Sequence, residues 1–202
     1  MTRDEFARTT GLSESVLARL DIYLDRLVRW QAKINLVGAT TLEDPWRRHF
    51  LDSVQIFDHL ADARTVTDLG SGAGFPGLVL AILADNTAVH LIESDQRKAV
   101  FLREINRQAE AGAIVHNARI EACGGLNADL VTARACAPLS KLLGYAEAVL
   151  APGGQCLFLK GRSWREELTE AEKQWNMAVE MIPSRSDDEG VILKLNGISR
   201  RG

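Results

Sequence analysis

The sequence predicts an α/β protein of Rossmann-like type. Its sheet is mostly parallel, ends in a C-terminal antiparallel hairpin and is preceded by an N-terminal helical segment. Three observations carry that prediction. From residue 65 onward, short apolar runs alternate with helical patterns, as expected of parallel strands joined by right-handed crossovers. A glycine-rich stretch, TDLGSGAGFPGL at 67–78, lies between the first strand and the first helix of that alternation, where such sheets bind nucleotide-like ligands. The last two strands are joined through SRSDDEG with no helical pattern between them, which reads as a hairpin.

The elements follow in order. Ser13 is a candidate N-cap, and Val16, Leu17, Leu20, Leu24, Leu27 and Val28 recur at helical spacing up to Trp30. Residues Asn35 to Asp44 read as a connection. It leads to Pro45, suited to the first position of a helix because no N–H is needed there. Phe50, Leu51, Val54, Phe57 and Leu60 give that helix an apolar face. Residues 1–62 are therefore expected to form a helical extension packed on a domain over 63–202, the two making one compact unit. In the second part, strands at 65–69, 88–93, 112–116, 128–133 and 155–160 alternate with helices at 77–84, 96–110 and 138–150. A helix near 164–175 and strands near 177–183 and 190–196 close the chain. The sequence holds no internal repeat and no low-complexity tract.

Composition narrows the class. Hydrophobic residues make up 46% and charged residues 25%, ordinary values for a soluble globular protein. No apolar run approaches the roughly 20 residues that span a bilayer, and MTRDEFARTTG lacks the apolar core of a secretory signal. The expected location is the cytoplasm, with no membrane partner. Cys123, Cys136 and Cys156 are irregularly spaced and far from histidine at ligand spacing, so no metal is expected. They read as reduced, mostly buried, structural thiols. A net charge of −3 argues against a nonspecific nucleic-acid coat protein. Local basic clusters stand out nonetheless: Arg47-Arg48-His49, Arg97-Lys98, Arg103, Arg107, Arg119, Arg134, Lys160-Gly161-Arg162 and Arg200-Arg201. Singly, each reads as a solvated surface; several around one pocket would read as an RNA footprint.

The glycine stretch contains a literal G-x-G-x-x-G, Gly72 to Gly77, with Glu93 ending the next strand about 20 residues on. A carboxylate there can accept both hydroxyls of a ribose, so an adenosine-bearing ligand is expected. A dinucleotide would offer a pyrophosphate to the helix N-terminus. S-adenosylmethionine offers instead a sulfonium, an ammonium and a carboxylate, and gains from an acid at the end of the first strand. Asp68 stands there, and Gly70, Gly72 and Gly74 form G-x-G-x-G two residues on. The acid and the terminal hairpin both favour a methyltransferase over a nicotinamide protein.

The sequence also resembles a known family. DLGSGAGFPG, with NL at 35–36, RHFLDS at 48–53, ES at 93–94, KAVFL at 98–102, RIE at 119–121, ARA at 133–135 and LKG at 159–161, is similar to the RsmG family, also called glucose-inhibited division protein B. The motifs run in order along essentially the whole chain. The resemblance implies a class I S-adenosylmethionine-dependent methyltransferase fold. It also implies transfer to N7 of guanine 527, in the decoding-region loop of 16S ribosomal RNA. The implied partner is 16S rRNA or the small ribosomal subunit, and the enzyme is taken as a monomer. Cys136 stands where a larger apolar residue is commoner. Glu189-Gly190 precedes the last strand where a basic residue is expected, which argues against RNA contact from that edge.

The same resemblance places Gly70 and Phe75 along the cofactor, with Gly72 and Gly74 allowing close approach, and puts Ile120 and Glu121 at the adenine. Together with Asp68, Glu93 and Arg134, these are the expected cofactor-binding residues. Arg134, at the carboxyl edge of the fourth strand, is a positioning candidate; its alternative is an ion pair with Asp68 or Glu121. Lys160 reads equally as a phosphate or base contact and as a solvated strand end. His49, Asp52 and Ser53 share one helix face. They read as a brace between the N-terminal helices and the glycine loop, with Asn35 as a candidate fourth member, and a substrate role for His49 stays open. Arg47, Arg48, Arg97, Lys98, Lys160 and Arg162 are the expected RNA-facing residues. No catalytic base is expected, because guanine N7 carries a free lone pair. Methylation of another RNA base or of a small molecule, and a cofactor-binding ribosome-assembly factor, are the alternatives.

Overall fold

The computed structural model of the chain describes residues 1–60 and 62–202. A seven-stranded sheet in the order β3-β2-β1-β4-β5-β7-β6 forms its centre. Strands β1 (Thr65–Leu69), β2 (Ala88–Ile92), β3 (Ile114–His116), β4 (Ala128–Arg134) and β5 (Leu150–Lys160) run parallel. The terminal pair, β6 (Trp175–Pro183) and β7 (Val191–Arg200), is antiparallel, with β7 inserted beside β5. From β1 the chain runs outward through β2 to β3, then returns to β4 on the other side of β1. That reversal opens a crevice at the carboxyl ends of β1 and β4.

Helices cover both faces, so the central strands are largely apolar: Val66, Leu69, Leu130, Val131, Leu157 and Phe158 are all buried. One face packs against α1 (Arg3–Thr10), α2 (Glu14–Gln31), α4 (Gly77–Leu83) and α5 (Gln96–Gln108). The other packs against α6 (Leu139–Val149), with Trp175 and Ala171 at the end of α7 (Trp164–Ala171) completing that core. The N-terminal helices thus share a core with one face of the sheet. Leu17, Leu20, Tyr23 and Leu27 supply the buried stripe of α2, each such side chain stabilising by about 1.5–3 kcal/mol. Val28, expected in that stripe, is instead exposed. Ser13 caps α2 as predicted, its hydroxyl accepting from the Val16 N–H.

Three local features depart from the sequence reading. The expected helical extension opens with a separate helix, α1, distinct from α2; Thr2 and Glu5 form a reciprocal capping box at its start, and Phe6 is its one buried side chain. Phe6→Ala is expected to cost about 3–5 kcal/mol of stability, measurable by urea unfolding; a loss below 1 kcal/mol would show that α1 is not part of the core. Next, residues 39–43 of the expected connection form a 3-10 turn. Finally, the helix expected from Pro45 begins as a π-turn, Trp46–Leu51, before α3 (Asp52–Phe57). The wide turn accommodates the Ser53 hydroxyl, which donates to the His49 carbonyl (2.7 Å). Widened turns of this kind recur at functional sites, and this one carries His49.

Candidate active site

A cleft of about 1020 Å³ opens at the carboxyl ends of β2, β1, β4 and β5, bordered by Gly72, Glu93, His49, Arg134 and Lys160. Its floor is the glycine loop. Gly70 and Gly74 have φ of +62° and +94°, which L side chains rarely adopt. A Cβ on Gly70 would strike the Cys136 thiol, and one on Gly74 would lie 2.5 Å from the Tyr23 hydroxyl. A Cβ on Gly72 would meet nothing closer than 3.7 Å, so that residue faces the cleft.

Tyr23 holds this loop from below. It is fully buried, its hydroxyl donates to the Ala73 carbonyl, and its ring stacks on Phe75 at 5.0 Å and 8°. His49 stacks on Phe75 as well (4.9 Å, 20°), and the Arg134 guanidinium lies 4.8 Å from the same ring. Phe75 therefore meets the cleft largely through its edge, locked by the N-terminal helices. Tyr23→Phe keeps the stacking and leaves the Ala73 carbonyl unpaired, a loss of about 1–3 kcal/mol. We expect it to lower the melting temperature and to weaken cofactor binding in parallel; calorimetric titration with unchanged affinity would separate the loop from its brace.

Two acids lie at the glycine loop. Glu93, just past β2, accepts from the Gly72 N–H (2.8 Å) through one oxygen and from the Asp95 N–H (2.7 Å) through the other. Each oxygen keeps a free lone pair toward the cleft, so the carboxylate is pre-aimed for a pair of hydroxyls. Asp68 lies deeper than the sequence suggested. It is fully buried beneath the loop, and it does not border the cleft. One oxygen accepts from the Thr132 hydroxyl (2.8 Å), its partner in register on β4. The other finds no hydrogen bond among the described residues. Burial pushes the Asp68 pKa up to about 6 against the lowering by Thr132. An orphaned buried carboxylate oxygen under a loop with no side chain at Gly72 fits an ammonium-bearing ligand above, reached through an intervening donor such as water. Ile120 and Glu121 lie in a 3-10 turn after β3, beside the cleft, rather than at the strand end.

Arg134 ends β4 and is the hub of the other half. One guanidinium nitrogen donates to Asp52 (3.0 Å) and to the Arg48 carbonyl (3.1 Å), the second to His49 Nδ1 (3.1 Å). The expected alternative partners, Asp68 and Glu121, are not its partners; the acid is Asp52. Because arginine only donates, His49 Nδ1 must accept, so its proton sits on Nε2 and is donated to the Thr41 hydroxyl (2.8 Å). Asp52 also accepts from Ser186 (2.6 Å) and Gln55 (3.1 Å). The brace expected of His49, Asp52 and Ser53 thus runs through Arg134 and Phe75, and not between the three side chains themselves. Asn35 stays outside it, bonded to Gln31.

Burial, reinforced by Arg134 and Arg48, lowers the His49 pKa to about 3, so the ring is neutral at physiological pH. A depressed pKa means that the unfolded chain takes up the proton first. The stability due to neutral His49 is complete above about pH 6.5 and is lost as pH falls toward 3. Asp68 works in the opposite sense: its raised pKa gives stability below pH 3.8 that is lost as pH rises through about 6. The two slopes are one proton each and opposite in sign, so they cancel between about pH 6 and 4, and the stability of the wild type should be nearly flat there. Denaturant titrations across that range should show stability falling toward acid in Asp68→Asn, where His49 acts alone, and rising toward acid in His49→Gln, where Asp68 acts alone. Identical slopes in all three proteins would contradict the assignment.

Lys160 is neither solvated nor free. Its ammonium is buried and donates to the Ala137 carbonyl (2.8 Å) and to Glu167 (2.7 Å) of α7. Of the expected RNA-facing residues, Arg48, Lys98 and Lys160 border the cleft, as do Arg119, Arg134 and Lys141. Several basic clusters therefore do meet at one pocket. Arg47 pairs with Asp44 (3.2 Å), Arg97 lies 3.9 Å from Asp95, and Arg162 pairs with Glu189 (2.6 Å), all outside the cleft lining. Arg200 is bound to Glu147 (3.0 Å) away from it. All three cysteines are free; Cys123 and Cys156 are buried, but Cys136 is only partly so and borders the cleft beside Gly70. Among the described residues, no cluster of three or more His, Cys, Asp or Glu could hold a metal, and no helix is long and apolar enough to cross a membrane.

Sequence reasoning missed Tyr23, Thr41, Thr132 and the Ser186-Asp187 pair. Only Tyr23 carried a signal, since it falls on the buried stripe between Leu20 and Leu27.

Residues 16–190 match the family described as GidB, rRNA small subunit methyltransferase G. Two proteins named ribosomal RNA small subunit methyltransferase G are similar over nearly their full lengths. That of Paramagnetospirillum magneticum is 52% identical over 201 residues, 99% of this chain and 98% of the relative. That of Rhodospirillum rubrum is 51% identical, covering 99% of this chain and 100% of its own. Among solved structures, a SAM-dependent methyltransferase from Aquifex aeolicus aligns with a TM-score of 0.61 at 14% identity, over 78% of this chain and 95% of that one. An O-methyltransferase from Bacillus cereus in complex with SAH gives 0.59 at 14% identity, over 86% and 90%. At that identity the likeness is one of fold: the sheet is that of the S-adenosylmethionine-dependent methyltransferases.

Proposed function

The chain belongs to the rRNA small subunit methyltransferase G family, and on that premise we propose that it methylates N7 of guanine 527 in 16S ribosomal RNA. The cofactor is S-adenosylmethionine, which supplies an electrophilic methyl group on its sulfonium. The observation that carries the reading is that His49, Asp52 and Glu167, three acid–base groups that border the cleft, are already engaged. His49 is neutral, with Nδ1 accepting from Arg134 and Nε2 donating to Thr41. Asp52 is paired with Arg134, and Glu167 with Lys160. A target that must lose a proton before attack would need one of them free. Guanine N7 needs none, so such a cleft supports it over an exocyclic amine or a hydroxyl.

The chain's own residues then bind and orient. Glu93 accepts the ribose hydroxyls, Gly72 admits the ligand backbone-close, and Asp68 offers its unpaired oxygen beneath; Gly74, expected to do the same as Gly72, instead turns toward Tyr23 and the core. Arg134 is fixed by three partners at the junction of the cofactor half and the basic half, where it positions the reacting groups. As methyl is transferred, the guanine becomes cationic. A neutral His49 and an Arg134 already neutralised by Asp52 keep a bare positive charge away from N7. Arg48 and Lys98 face the phosphates, and Arg47, Arg97 and Arg162 extend that surface outward.

The test is transfer of labelled methyl from S-adenosylmethionine to 30S subunits and to naked 16S RNA. We expect incorporation with one of the two. Tight cofactor binding with no incorporation into either would instead favour an assembly factor.

A further inference from the structure

Four cations in or near the cleft are held in ion pairs, of two physical kinds. Arg134 and Lys160 are paired inside it, with side chains 18% and 6% exposed. Removing either partner of such a pair strands a buried charge, so these pairs are fixtures of the fold. Arg48 and Arg162 are paired on the rim. Arg48 is 42% exposed and bound to Asp187 at 2.8 Å. Arg162 is 82% exposed and bound to Glu189 at 2.6 Å. Exposed pairs of this kind are weak and exchange readily with other anions.

Both acids belong to one turn, residues 184–190, which joins β6 to β7. That turn is held by bonds that do not involve either acid's pairing. The Ser186 hydroxyl donates to Asp52 (2.6 Å), the Arg185 N–H donates to Gln55 (2.8 Å), and the Ser184 N–H donates to the Gly190 carbonyl (3.1 Å). Gln55 and Asp52 sit on α3 beside the brace, so the turn is fixed to the same frame as Arg134. Asp187 is further shaped by its own loop, accepting from the Glu189 N–H (3.0 Å). The pairing with Arg48 holds the Asp187 carboxyl below its usual range, so it is charged at neutral pH. Two carboxylates are thus presented at fixed places to two arginines that would otherwise face RNA phosphate.

We propose that Asp187 and Glu189 are specificity-determining residues: they occupy Arg48 and Arg162 as a built-in substitute for phosphate, which RNA must displace. The inference rests on the reading of the cleft as an RNA site. Sequence-independent RNA binding comes almost entirely from cation–phosphate contacts. Neutralising two cations within the protein lowers that attraction for RNA that offers nothing else. The true substrate adds contacts of the target base within the cleft, which the turn does not mask. A net charge of −3 in a protein that acts on RNA follows the same logic.

The test compares wild type with Asp187→Asn/Glu189→Gln, which keeps shape and removes both charges. Binding of poly(U), which lacks the target base, is measured between 50 and 200 mM salt. The variant should bind about three- to tenfold tighter at the lower salt. Its log affinity against log salt should steepen by roughly 1.4, about 0.7 for each cation released to a single strand. Adding Arg48→Gln and Arg162→Gln should return both quantities to the wild-type values. Unchanged or weaker poly(U) binding by the double variant overturns the proposal, the weaker result marking the acids as struts. If that variant does not fold, Glu189→Gln alone, whose side chain meets only Arg162, should give about half the effect. Wild-type transfer to 16S RNA is assayed alongside. Its absence would overturn the functional reading, while the poly(U) comparison still decides whether the turn competes with phosphate.

Discussion

Glu93→Ala is expected to weaken S-adenosylmethionine binding by about 100- to 1000-fold. In the proposed site this removes two charge-assisted hydrogen bonds to the ribose, each worth roughly 1.5–3 kcal/mol, and 1.4 kcal/mol is a factor of ten. The substitution also frees the Gly72 and Asp95 N–H groups that the carboxylate now holds. The loop is therefore loosened at the residue that faces the cleft. Glu93→Gln should lie between the two, since its amide oxygen still accepts while its NH₂ opposes one backbone donor. Calorimetric titration of the purified protein reads the effect without any RNA. Near-wild-type affinity in Glu93→Ala would remove Glu93 from the cofactor site.

Arg134→Ala should be the most damaging change on the other side. It strands the Asp52 carboxylate, leaves His49 Nδ1 without its donor and uncovers Phe75 at once. A partly buried charge pair broken on one side costs about 3–5 kcal/mol, so the variant should melt well below wild type. Methyl transfer, measured below that transition, should fall by about 100-fold or more, as expected when a positioning group is lost. Arg134→Lys is not expected to rescue it, because one ammonium cannot reach the fork of acceptors that the guanidinium spans. Asp52→Asn separates the roles: it removes the charge and keeps an acceptor, and should restore most of the stability lost in Arg134→Ala when combined with it. Strict additivity of the two substitutions would mean that the pair does not act as a unit.

Much of the fold was legible because burial leaves a strong imprint. Central parallel strands must be apolar on both faces, so TVTDL, AVHLIE and QCLFLK declared themselves as short runs. The glycines were equally legible, since Gly70 and Gly74 take backbone angles that other residues resist. The first helix was not, because RDEFARTT buries only Phe6 and shows no stripe; its one signal was the Thr2–Glu5 capping box. The π-turn at 46–51 was hidden because one extra residue in a turn barely disturbs an apolar pattern.

The site divides in the same way. Glu93 follows from its place after β2, a consequence of local topology. The partner of Arg134 does not, because Asp52 lies 82 residues earlier and meets it only once the N-terminal helices dock. Lys160 misled for a related reason: α7 folds back over the end of β5 and brings Glu167 onto its ammonium. Asp68 was placed correctly on the strand but not in depth, since the sequence does not reveal that the glycine loop closes over it. Long-range polar pairing carries no periodicity, and that is where sequence reading stopped.

A chemical property of the product tests directly whether N7 is the acceptor. N7-methylguanosine in RNA, after borohydride reduction, is cleaved by aniline, whereas methylation at other guanine positions leaves the strand intact. 16S RNA from a strain lacking this protein is incubated with the enzyme and S-adenosylmethionine, treated in this way and mapped by primer extension. The account predicts a single new cleavage at guanine 527, absent without cofactor and absent with Glu93→Ala. Methyl incorporation without aniline cleavage, or cleavage at another guanine, would contradict it.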